Sequence, residues 1–429
     1  MLRLWWPLAA SWLLMGAEMP VFAAFVARMA DERIHLAAYS SIVFPVSLVI
    51  EAPIIMLLAA STALSTDRAS YRRLRRFMNV AGATLTAVHV LVAFTPLFDV
   101  VATRILDAPR EVVEPARLGL RVMTPWTWSI AHRRFQQGVF IRFERARAVV
   151  AGTGVRLGTN VLVFTIGRLC TPFSGIVLGS AAVASSVVAE AFFAGWCVRP
   201  IVRRELPAPS PGARPLTRGA FARFYLPLAL TPLLMLLVQP LGAAAMTRMP
   251  RALDSLAAWP AVSGLVFLTR SAGFALNEVV VTLLALPGAA SVLRRFAFRL
   301  GAISMAALAL LAVPPIAHFW LAGVTDLDPE LARLGASALV LALLMPGYQA
   351  VQSWHQGALV HARRTAAITE AVALHLVVSA AILAAGAATG GFPGIHVAIA
   401  AFTAGGLLQT LWLAWRSRAV IRKLAGPPE

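Results

Sequence analysis

Twelve apolar stretches, separated by short polar or charged segments, follow one another along the whole chain. Each is about 20 residues long or longer, which is the length that a helix needs to cross the hydrocarbon core of a bilayer. The pattern therefore predicts an all-α polytopic membrane protein with twelve transmembrane helices. Their predicted bounds are 4–28, 35–62, 77–102, 118–140, 148–168, 174–198, 221–247, 254–285, 299–322, 334–353, 366–387 and 393–415.

The composition supports this interpretation. Of the 429 residues, 59% are hydrophobic and only 13% are charged, and the mean hydropathy is +0.76. These values exclude an ordinary soluble domain. The apolar segment 4–14 has the character of a signal peptide. Because a similar segment recurs in the middle of the chain, we expect it to be the first transmembrane helix instead.

The chain contains an internal duplication. Shifted by 220 residues, the segment 6–9 (Trp-Pro-Leu-Ala) matches 226–229 (Leu-Pro-Leu-Ala). One residue is then lost, and at a shift of 219 the pair Gln137-Gly138 matches Gln356-Gly357. Several such matches keep their order along the two halves, which is the signature of a repeat.

The duplication predicts the domain organisation. Each half holds six helices, and an even number returns the chain to its starting side, so both copies have the same orientation. We expect two six-helix bundles, over 1–198 and 221–429, related by a pseudo-twofold axis along the membrane normal. The intervening segment 199–220, rich in proline and arginine, is predicted to be a cytoplasmic linker.

The distribution of charge predicts the orientation in the membrane. The chain has 38 basic and 19 acidic residues. With a cytoplasmic N-terminus, 26 of the 38 basic residues lie on cytoplasmic segments and nine on the opposite side. The positive-inside rule then predicts cytoplasmic termini and a multi-pass protein of the cell inner (plasma) membrane. Topology and contact with anionic lipids account for the basic clusters, so a nucleic-acid partner is not expected.

A few ionisable residues remain inside the predicted helices. An ionised side chain that faces lipid costs several kcal/mol, about 2.5–3.5 at a helix centre, so such residues normally face the protein interior or water. Those near predicted helix ends are expected to be solvated at the interface. They are Asp99, Arg121, Glu190, Glu278 and Glu370.

Four polar residues deeper in the helices are predicted to line a substrate cavity. Position 51 of the first half aligns with Ser271, beside Arg270, and position 156 aligns with His375. Glu51, Arg156, Arg270 and His375 are the predicted cavity residues. Glu51 and Arg270 are expected to approach a central cleft from opposite halves. They form either a fixed buried salt bridge or a pair that breaks and forms during transport.

Glu18 is the candidate for ion coupling, because it lies two residues before Pro20. A proline inside a helix frees the carbonyl four residues earlier, here that of Gly16, and bends the helix. A bend beside a carboxylate suits a site for H⁺ or Na⁺, although a packed, neutral glutamic acid is the alternative. The second half has Gln239 and Pro240 at this place, which predicts a second bend and adds Gln239 to the cavity.

Enzyme motifs are missing from the sequence. The only lysine, Lys423, is near the C-terminus, so there is no phosphate-binding loop, and no HExxH motif or Cys/His cluster occurs. Cys170 and Cys197 fall at opposite ends of a predicted helix, which disfavours a disulfide. A membrane-embedded transferase would need clustered aspartates, and Asp326 and Asp328 are the only close pair. We expect a protein that is not an enzyme and has no cofactor or metal.

The architecture resembles that of the multidrug/oligosaccharidyl-lipid/polysaccharide (MOP) exporter superfamily, which includes the MATE transporters. Local strings at 224–230, 239–240 and 394–398 resemble the progressive ankylosis (ANKH) family. The superfamily resemblance implies alternating access between two bundles around a central cavity. The ANKH resemblance implies export of pyrophosphate, nucleotides or citrate. MATE proteins often carry an acidic residue in the first helix, and Glu18 matches that role.

The predicted function is a secondary active transporter that exports small organic or phosphorylated anions. Arg156, Arg270 and His375 favour an anion, because a desolvated guanidinium offers paired donors to phosphate or carboxylate. Glu18 and Glu51 favour the alternative, a proton- or sodium-coupled antiporter of cationic drugs. A flippase for lipid-linked precursors is a further alternative. The expected partners are a small-molecule substrate and membrane lipids, and the expected state is a monomer.

Overall fold

The computed structural model describes the chain except for residues 171, 209–218, 220, 223, 224, 227, 228, 230–232, 235, 285, 287, 363 and 426–429. Helices make up all of the regular structure in the described residues. Every predicted span contains helical segments, although the predicted linker and the string 224–230 lie largely outside the described residues. The predicted all-α fold class is confirmed.

Six helices form the first half, and several are built from consecutive segments. They are α1 (Leu2–Gly16 and Glu18–Ala27), α2 (Glu32–Ala38, Tyr39–Val43, Phe44–Ile55 and Leu57–Leu64), α3 (Arg68–Phe94, Leu97–Asp99 and Val100–Ile105), α4 (Arg110–Val122 and Thr124–Arg142), α5 (Ala146–Cys170) and α6 (Gly175–Cys197 and Ile201–Glu205).

The second half follows the same plan. Its helices are α7 (Val238–Met246 in the described part), α8 (Ala252–Phe274 and Leu276–Leu283), α9 (Ala289–Leu311, Pro314–His318 and Phe319–Val324), α10 (Pro329–Leu341 and Leu344–His361), α11 (Ala366–Thr389) and α12 (Gly394–Ala425).

Most of these helices are long and apolar enough to span a membrane. Among the described residues, eight helices meet that condition, and two bent pairs, in α9 and α10, raise the number to ten. The bends are 75° in α9 and 43° in α10. The two remaining helices are α4 and α7. Helix α4 carries Arg133 and Arg134 in its interior, and α7 is described only in part. The chain is a multi-pass membrane protein.

Several helices begin earlier than predicted, and the difference is largest in α3 and α9. The predicted bounds 77–102 and 299–322 place the preceding arginines in loops, whereas α3 begins at Arg68 and α9 at Ala289. Hydropathy marks only the part of a helix that lies in the membrane, and a basic helix end can continue into water. The arginines at 72–76 and 294–299 therefore lie on helices.

Asp67 caps the N-terminus of α3. Its Oδ1 accepts hydrogen bonds from the backbone N–H groups of Ala69 (2.8 Å) and Ser70 (3.0 Å), and the hydroxyls of Ser70 and Thr66 donate to Oδ2. The Ser70 backbone hydrogen bond is the largest cause that lowers the pKa of Asp67 below its usual range. The cap satisfies donors that have no partner within the helix.

Asp67→Ala is expected to lower the free energy of unfolding by about 1 kcal/mol, the usual effect of a lost cap. Since the folded pKa is lowered, the carboxylate stabilises the fold above its usual pKa, near 4, and that stabilisation is lost as the pH falls through the folded value. Melting curves between pH 7 and 3 measure both effects. Asp67→Asn is the matched control, because it keeps an acceptor without a titratable group. An equal response to acid in wild type and Asp67→Asn would contradict this assignment.

The backbone repeats its irregular features at the spacing of the duplication. The wide helical turns Val100–Ile105 and Phe319–Val324 are 219 residues apart. The left-handed residues Asp107 (φ 51°) and Asp326 (φ 56°) are also 219 apart, while Asp31 (φ 55°) and Arg251 (φ 57°) are 220 apart. Irregularities at matched positions are evidence for the duplication that does not depend on residue identity.

The structure locates the one-residue difference between the two shifts. In α2 the five residues Tyr39–Val43 form a π-helical turn, which holds one more residue than an α-helical turn. The matching part of α8 is continuous α-helix, and Phe44–Ile55 then ends in register with Phe274 at a shift of 219. Glu51 therefore matches Arg270 itself, and its predicted alignment with Ser271 is wrong.

The residues pack into two compact units. One contains Met1–Ser40 and Leu241–Glu429, and the other contains Ser41–Pro240. We call them the first and second units. These bounds differ from the predicted bundles 1–198 and 221–429, because residues 1–40 pack with the C-terminal half and the described part of 221–240 belongs to the second unit. The predicted bundles describe the duplicated halves of the sequence, not the compact units.

Close packing between α1 and α8 explains why α1 joins the first unit. A side-chain carbon at Gly264 would lie 2.6 Å from Cδ of Pro20, so α8 can pass α1 here only without a side chain. Trp12 stacks on Phe274 with ring centroids 5.0 Å apart. The indole of Trp5 also donates to the carbonyl of Ala272 over 3.1 Å.

Candidate functional site

The predicted site residues are divided between the two units. Glu51, Arg156 and Gln239 belong to the second unit, whereas Arg270 and His375 belong to the first. The predicted pairing of Glu51 with Arg270 stays a prediction, because the two residues belong to different units.

Glu51 is buried in the second unit among basic groups and an indole. Its side chain is 5% exposed, and the Trp126 indole N–H donates a hydrogen bond to Oε2. The guanidinium carbon of Arg156 lies 5.6 Å from the Trp126 ring centroid. The positive charges of Arg134, Arg133 and Arg156 all act on the Glu51 carboxylate. We call Glu51, Trp126, Arg134 and Arg156 the Glu51 cluster.

A buried ion pair joins α4 to α6. One terminal nitrogen of Arg133 lies 3.0 and 3.2 Å from the two carboxylate oxygens of Glu190, and the Gln137 amide donates to Glu190 over 3.1 Å. The side chains of Arg133 and Glu190 are only 5% and 1% exposed. The prediction that Glu190 is solvated near a helix end is wrong, because its side chain is buried in the ion pair with Arg133.

A signal for this pair was present in the sequence. Arg133 lies inside the predicted span 118–140, several residues before its end, where an arginine needs a partner in the protein. At the duplication shift of 219, Arg133 matches Gln352 and Glu190 matches Gln409, and both glutamines are buried. The second half thus has two neutral amides where the first half has an ion pair.

Arg270 of α8 lies among uncharged partners in the first unit. One terminal nitrogen donates to Oε1 of Gln349 over 2.6 Å. The guanidinium carbon lies 5.3 Å from the ring centroid of Phe274 and 5.9 Å from that of Tyr348. Its Nε is buried without a hydrogen-bond partner, and no described carboxylate forms an ion pair with it.

His375 of α11 lies within electrostatic range of Arg270. A side-chain carbon at Gly405 would lie 2.8 Å from His375 Nδ1, so α12 passes directly over the imidazole. That Nδ1 atom is buried without a hydrogen-bond partner among the described residues. We call Arg270, Tyr348, Gln349 and His375 the Arg270 cluster.

The two prolines lie after matched breaks in their helices. In α1 the break is at Ala17, three residues before Pro20, and in α7 it is at Leu237, three residues before Pro240. Glu18 begins the second segment of α1 and is 7% exposed. A buried carboxylate thus directly follows the break in α1.

Three of the other charged residues predicted near helix ends have hydrogen-bond or ion-pair partners. Asp99 pairs with Arg117 over 2.6 Å, and Glu370 pairs with Arg416 over 2.9 Å. Arg121 donates to the carbonyl of Ala93 over 3.1 Å. Unlike Glu190, these groups are consistent with solvation at a helix end.

Comparison with solved structures identifies the fold. A MATE family multidrug resistance transporter of the MOP superfamily, in an inward-facing conformation, aligns with a TM-score of 0.72 and 16% identity over 98% of this chain and 96% of that chain. The chain has the MOP transporter fold. The lipid II flippase MurJ, in an inward closed conformation, aligns with a TM-score of 0.72 and 11% identity over 97% of this chain and 88% of that chain.

A MOP superfamily transporter from Pyrococcus furiosus is also similar in fold. It aligns with a TM-score of 0.61 and 18% identity over 98% of this chain and 95% of that chain, and its description names a binding pocket of reversed polarity. No protein-family model and no curated protein matches the sequence. The comparisons do not show the predicted resemblance to the ANKH family.

Both clusters contain an arginine with a buried hydrogen-bond donor that is not used by the described residues. In the described part of the chain, no three His, Cys, Asp or Glu side chains come together as metal ligands. Arg270 and Arg134 each present a buried Nε without a hydrogen-bond partner among the described residues. Each of the two clusters therefore offers donors to an anion.

Proposed function

We propose that the chain is a secondary active transporter that works by alternating access and exports small organic or phosphorylated anions. The fold supports transport, because the similar structures are MOP superfamily transporters and a flippase. The charge and hydrogen bonding of the two clusters support an anionic substrate.

The environment of Arg270 is the observation that carries this proposal. A guanidinium keeps its charge in proteins, and burying a charge without a counter-ion is costly. Arg270 is held by one amide oxygen and two aromatic rings, and none of these neutralises it. An anionic substrate would supply both the missing charge and an acceptor for Nε.

The Glu51 cluster also holds guanidinium groups close together. Glu190 pairs with Arg133, while Arg134 and Arg156 act on the Glu51 carboxylate. A phosphate or carboxylate group, as in pyrophosphate, a nucleotide or citrate, fits such donors. Arg134 also has an unpaired buried Nε.

Transport into everted membrane vesicles tests the proposal. We expect labelled pyrophosphate, a nucleotide or citrate to accumulate in the vesicles when a proton or sodium gradient is imposed. A cationic dye should not accumulate. Glu18→Gln should abolish gradient-driven accumulation in a protein that is still inserted and folded, because a neutral amide cannot exchange a proton or hold Na⁺.

Glu278→Gln is the matched control, since it removes an acidic residue of α8 that belongs to neither cluster, and it should leave transport unchanged. Accumulation of the dye without any anion would contradict anion export. Full activity of Glu18→Gln would remove Glu18 from the coupling mechanism.

A cation antiporter is the second candidate, and a specific observation favours it. Glu18 and Glu51 are buried acidic residues, 7% and 5% exposed, and the MATE neighbour is described as a multidrug resistance transporter. The same vesicle experiment distinguishes the two candidates by the sign of the substrate. A flippase for lipid-linked precursors rests on the similarity of fold to MurJ.

A further inference from the structure

The first unit contains an arginine-rich pocket of about 760 Å³ between α9, α10 and α12. Five arginines and one histidine supply its polar groups, and aromatic and aliphatic side chains complete it. The lining residues are Arg294, Arg295, Phe298, Arg299, Trp354, His355, Ala414, Arg418, Ile421 and Arg422. A hydrogen bond of 2.8 Å between His355 Nδ1 and Ser417 Oγ joins α10 to α12 beside it.

The second unit has a pocket of the same volume, about 760 Å³, between α3, α4 and α6. Six of its fifteen lining residues match six of the ten residues that line the first pocket, at the duplication shift of 219. The matched pairs are Arg75 with Arg294, Gln136 with His355, Gly195 with Ala414, Arg199 with Arg418, Val202 with Ile421 and Arg203 with Arg422. Three arginines line this pocket, compared with five in the first. Two copies of the fold have therefore kept the same basic pocket.

The five arginines of the first pocket have no acidic partners among the described residues. No carboxylate lines the pocket, and none of these arginines forms an ion pair with a described Asp or Glu. Arg418 and Arg422 are one helical turn apart on α12, and Arg295 and Arg299 have the same spacing on α9. Close positive charges repel one another, so their convergence favours a bound anion.

The surroundings of the pocket indicate a lipid. Its arginines belong to segments that the charge distribution assigns to the cytoplasmic side of the membrane. Large apolar side chains on α9 are exposed around it, with Val292 55%, Phe298 56% and Ile303 68% exposed. Such a surface on a membrane helix is covered by acyl chains, and basic pockets between membrane helices on the cytoplasmic side are suited to anionic head groups.

We propose that the pocket of α9, α10 and α12 binds the phosphate of an anionic diacyl phospholipid, whose acyl chains lie along the exposed apolar face of α9. The guanidinium groups bind the phosphate oxygens, and Phe298 and Ile421 contact the start of the chains. The matched pocket of the second unit is a weaker site for the same lipid. A free phosphate has the same charged group as the lipid head group, but it has no acyl chains to contact the apolar face of α9.

Native mass spectrometry of the detergent-solubilised protein, titrated with phosphatidylglycerol, tests the proposal. The variant Arg294→Gln/Arg418→Gln/Arg422→Gln should bind the lipid at least about tenfold more weakly than wild type, since each basic residue near an anionic lipid contributes several-fold. The control Arg72→Gln/Arg76→Gln/Arg364→Gln removes three exposed arginines that line neither pocket, and its affinity should change less than about twofold. If the triple pocket variant is not folded, Arg422→Gln alone should weaken binding by about fivefold.

Three outcomes would overturn the proposal. One is equal loss of lipid in the pocket and control variants, which would show attraction by net charge alone. Another is unchanged binding in the folded pocket variant. The third is displacement of the lipid by millimolar inorganic phosphate or glycerol phosphate, which would assign the pocket to a free phosphate. Because the readout is binding in detergent, it does not depend on the proposed transport activity.

Discussion

Glu190→Gln is expected to lower the free energy of unfolding by about 3–5 kcal/mol, the usual effect of removing one partner from a buried ion pair. The carboxylate is 1% exposed and accepts hydrogen bonds from both Arg133 and Gln137. The variant keeps the shape of the side chain but leaves the guanidinium of Arg133 buried without a counter-ion. Thermal or chemical unfolding in detergent micelles measures the loss.

The second half of the chain supplies a rescue for this variant. It has Gln352 and Gln409 at the matched positions, both of them buried. The double variant Arg133→Gln/Glu190→Gln copies that arrangement, and we expect it to recover most of the lost stability because no charge is then stranded. A double variant that is no more stable than Glu190→Gln would contradict this account.

An exposed ion pair provides the control for Glu190. Glu370 pairs with Arg416 over 2.9 Å, but the two side chains are 41% and 38% exposed. Water screens such a pair, so Glu370→Gln should cost no more than about 1 kcal/mol. A cost equal to that of Glu190→Gln would mean that burial does not set the size of the effect.

Arg270→Gln is expected to weaken anion binding by roughly 10- to 150-fold, which corresponds to the loss of a charged hydrogen bond of about 1.5–3 kcal/mol. The variant should fold, because no described carboxylate forms an ion pair with Arg270 and is left unpaired by the change. Equilibrium binding of labelled anion to the purified protein measures the effect. Arg270→Lys should recover part of the affinity, since lysine restores the charge but not the planar set of donors.

Arg121 offers a matched control for Arg270. It is also an arginine in a predicted span, it donates to a backbone carbonyl over 3.1 Å, and it lies 5.2 Å from the ring centroid of Phe94. Arg121→Gln should leave anion binding unchanged. Tight anion binding by a well-folded Arg270→Gln variant would contradict the proposed role and favour the cation antiporter. A variant that unfolds unless Glu51→Gln is added would instead identify Arg270 as the partner of Glu51.

The two copies of the duplicated fold differ in the charges that they carry at matched positions. Glu51 and Arg270 occupy the same position in the two copies, and so do the Arg133–Glu190 pair and the two buried glutamines. Identical halves would place like groups at every matched position. At the position of Glu51, one copy therefore has a carboxylate and the other a guanidinium.

The sequence predicted the helices because the bilayer restricts the backbone conformations that can cross it. A backbone that crosses lipid must satisfy its hydrogen bonds internally, so an apolar stretch of sufficient length becomes a helix whatever packs against it. Hydropathy was less informative at the water-exposed ends. There Asp67 and the arginines after it extend α3 well before its predicted start.

The backbone structure was needed to determine where the shift between the two halves changes from 220 to 219. Sequence matches revealed both shifts, 220 and 219, but not the place where one changes to the other. The π-helical turn at Tyr39–Val43 holds the extra residue, and it changes the partner of Glu51 from Ser271 to Arg270. A single residue inserted into a helix rotates every later side chain by about 100°, so a site residue cannot be matched until that turn is located.

The sequence by itself therefore determined the helical fold, the duplication and the presence of ionisable residues inside the helices. Only the tertiary structure decided that α1 packs on α8, that Arg133 pairs with Glu190, and which neutral groups surround Arg270. The physical reason is that lipid and protein interior are both apolar. Hydropathy shows that a residue is removed from water, but it does not show whether that residue contacts lipid or another helix. Partners distant in the chain are set by the packing of helices, where small residues and buried charges select one arrangement.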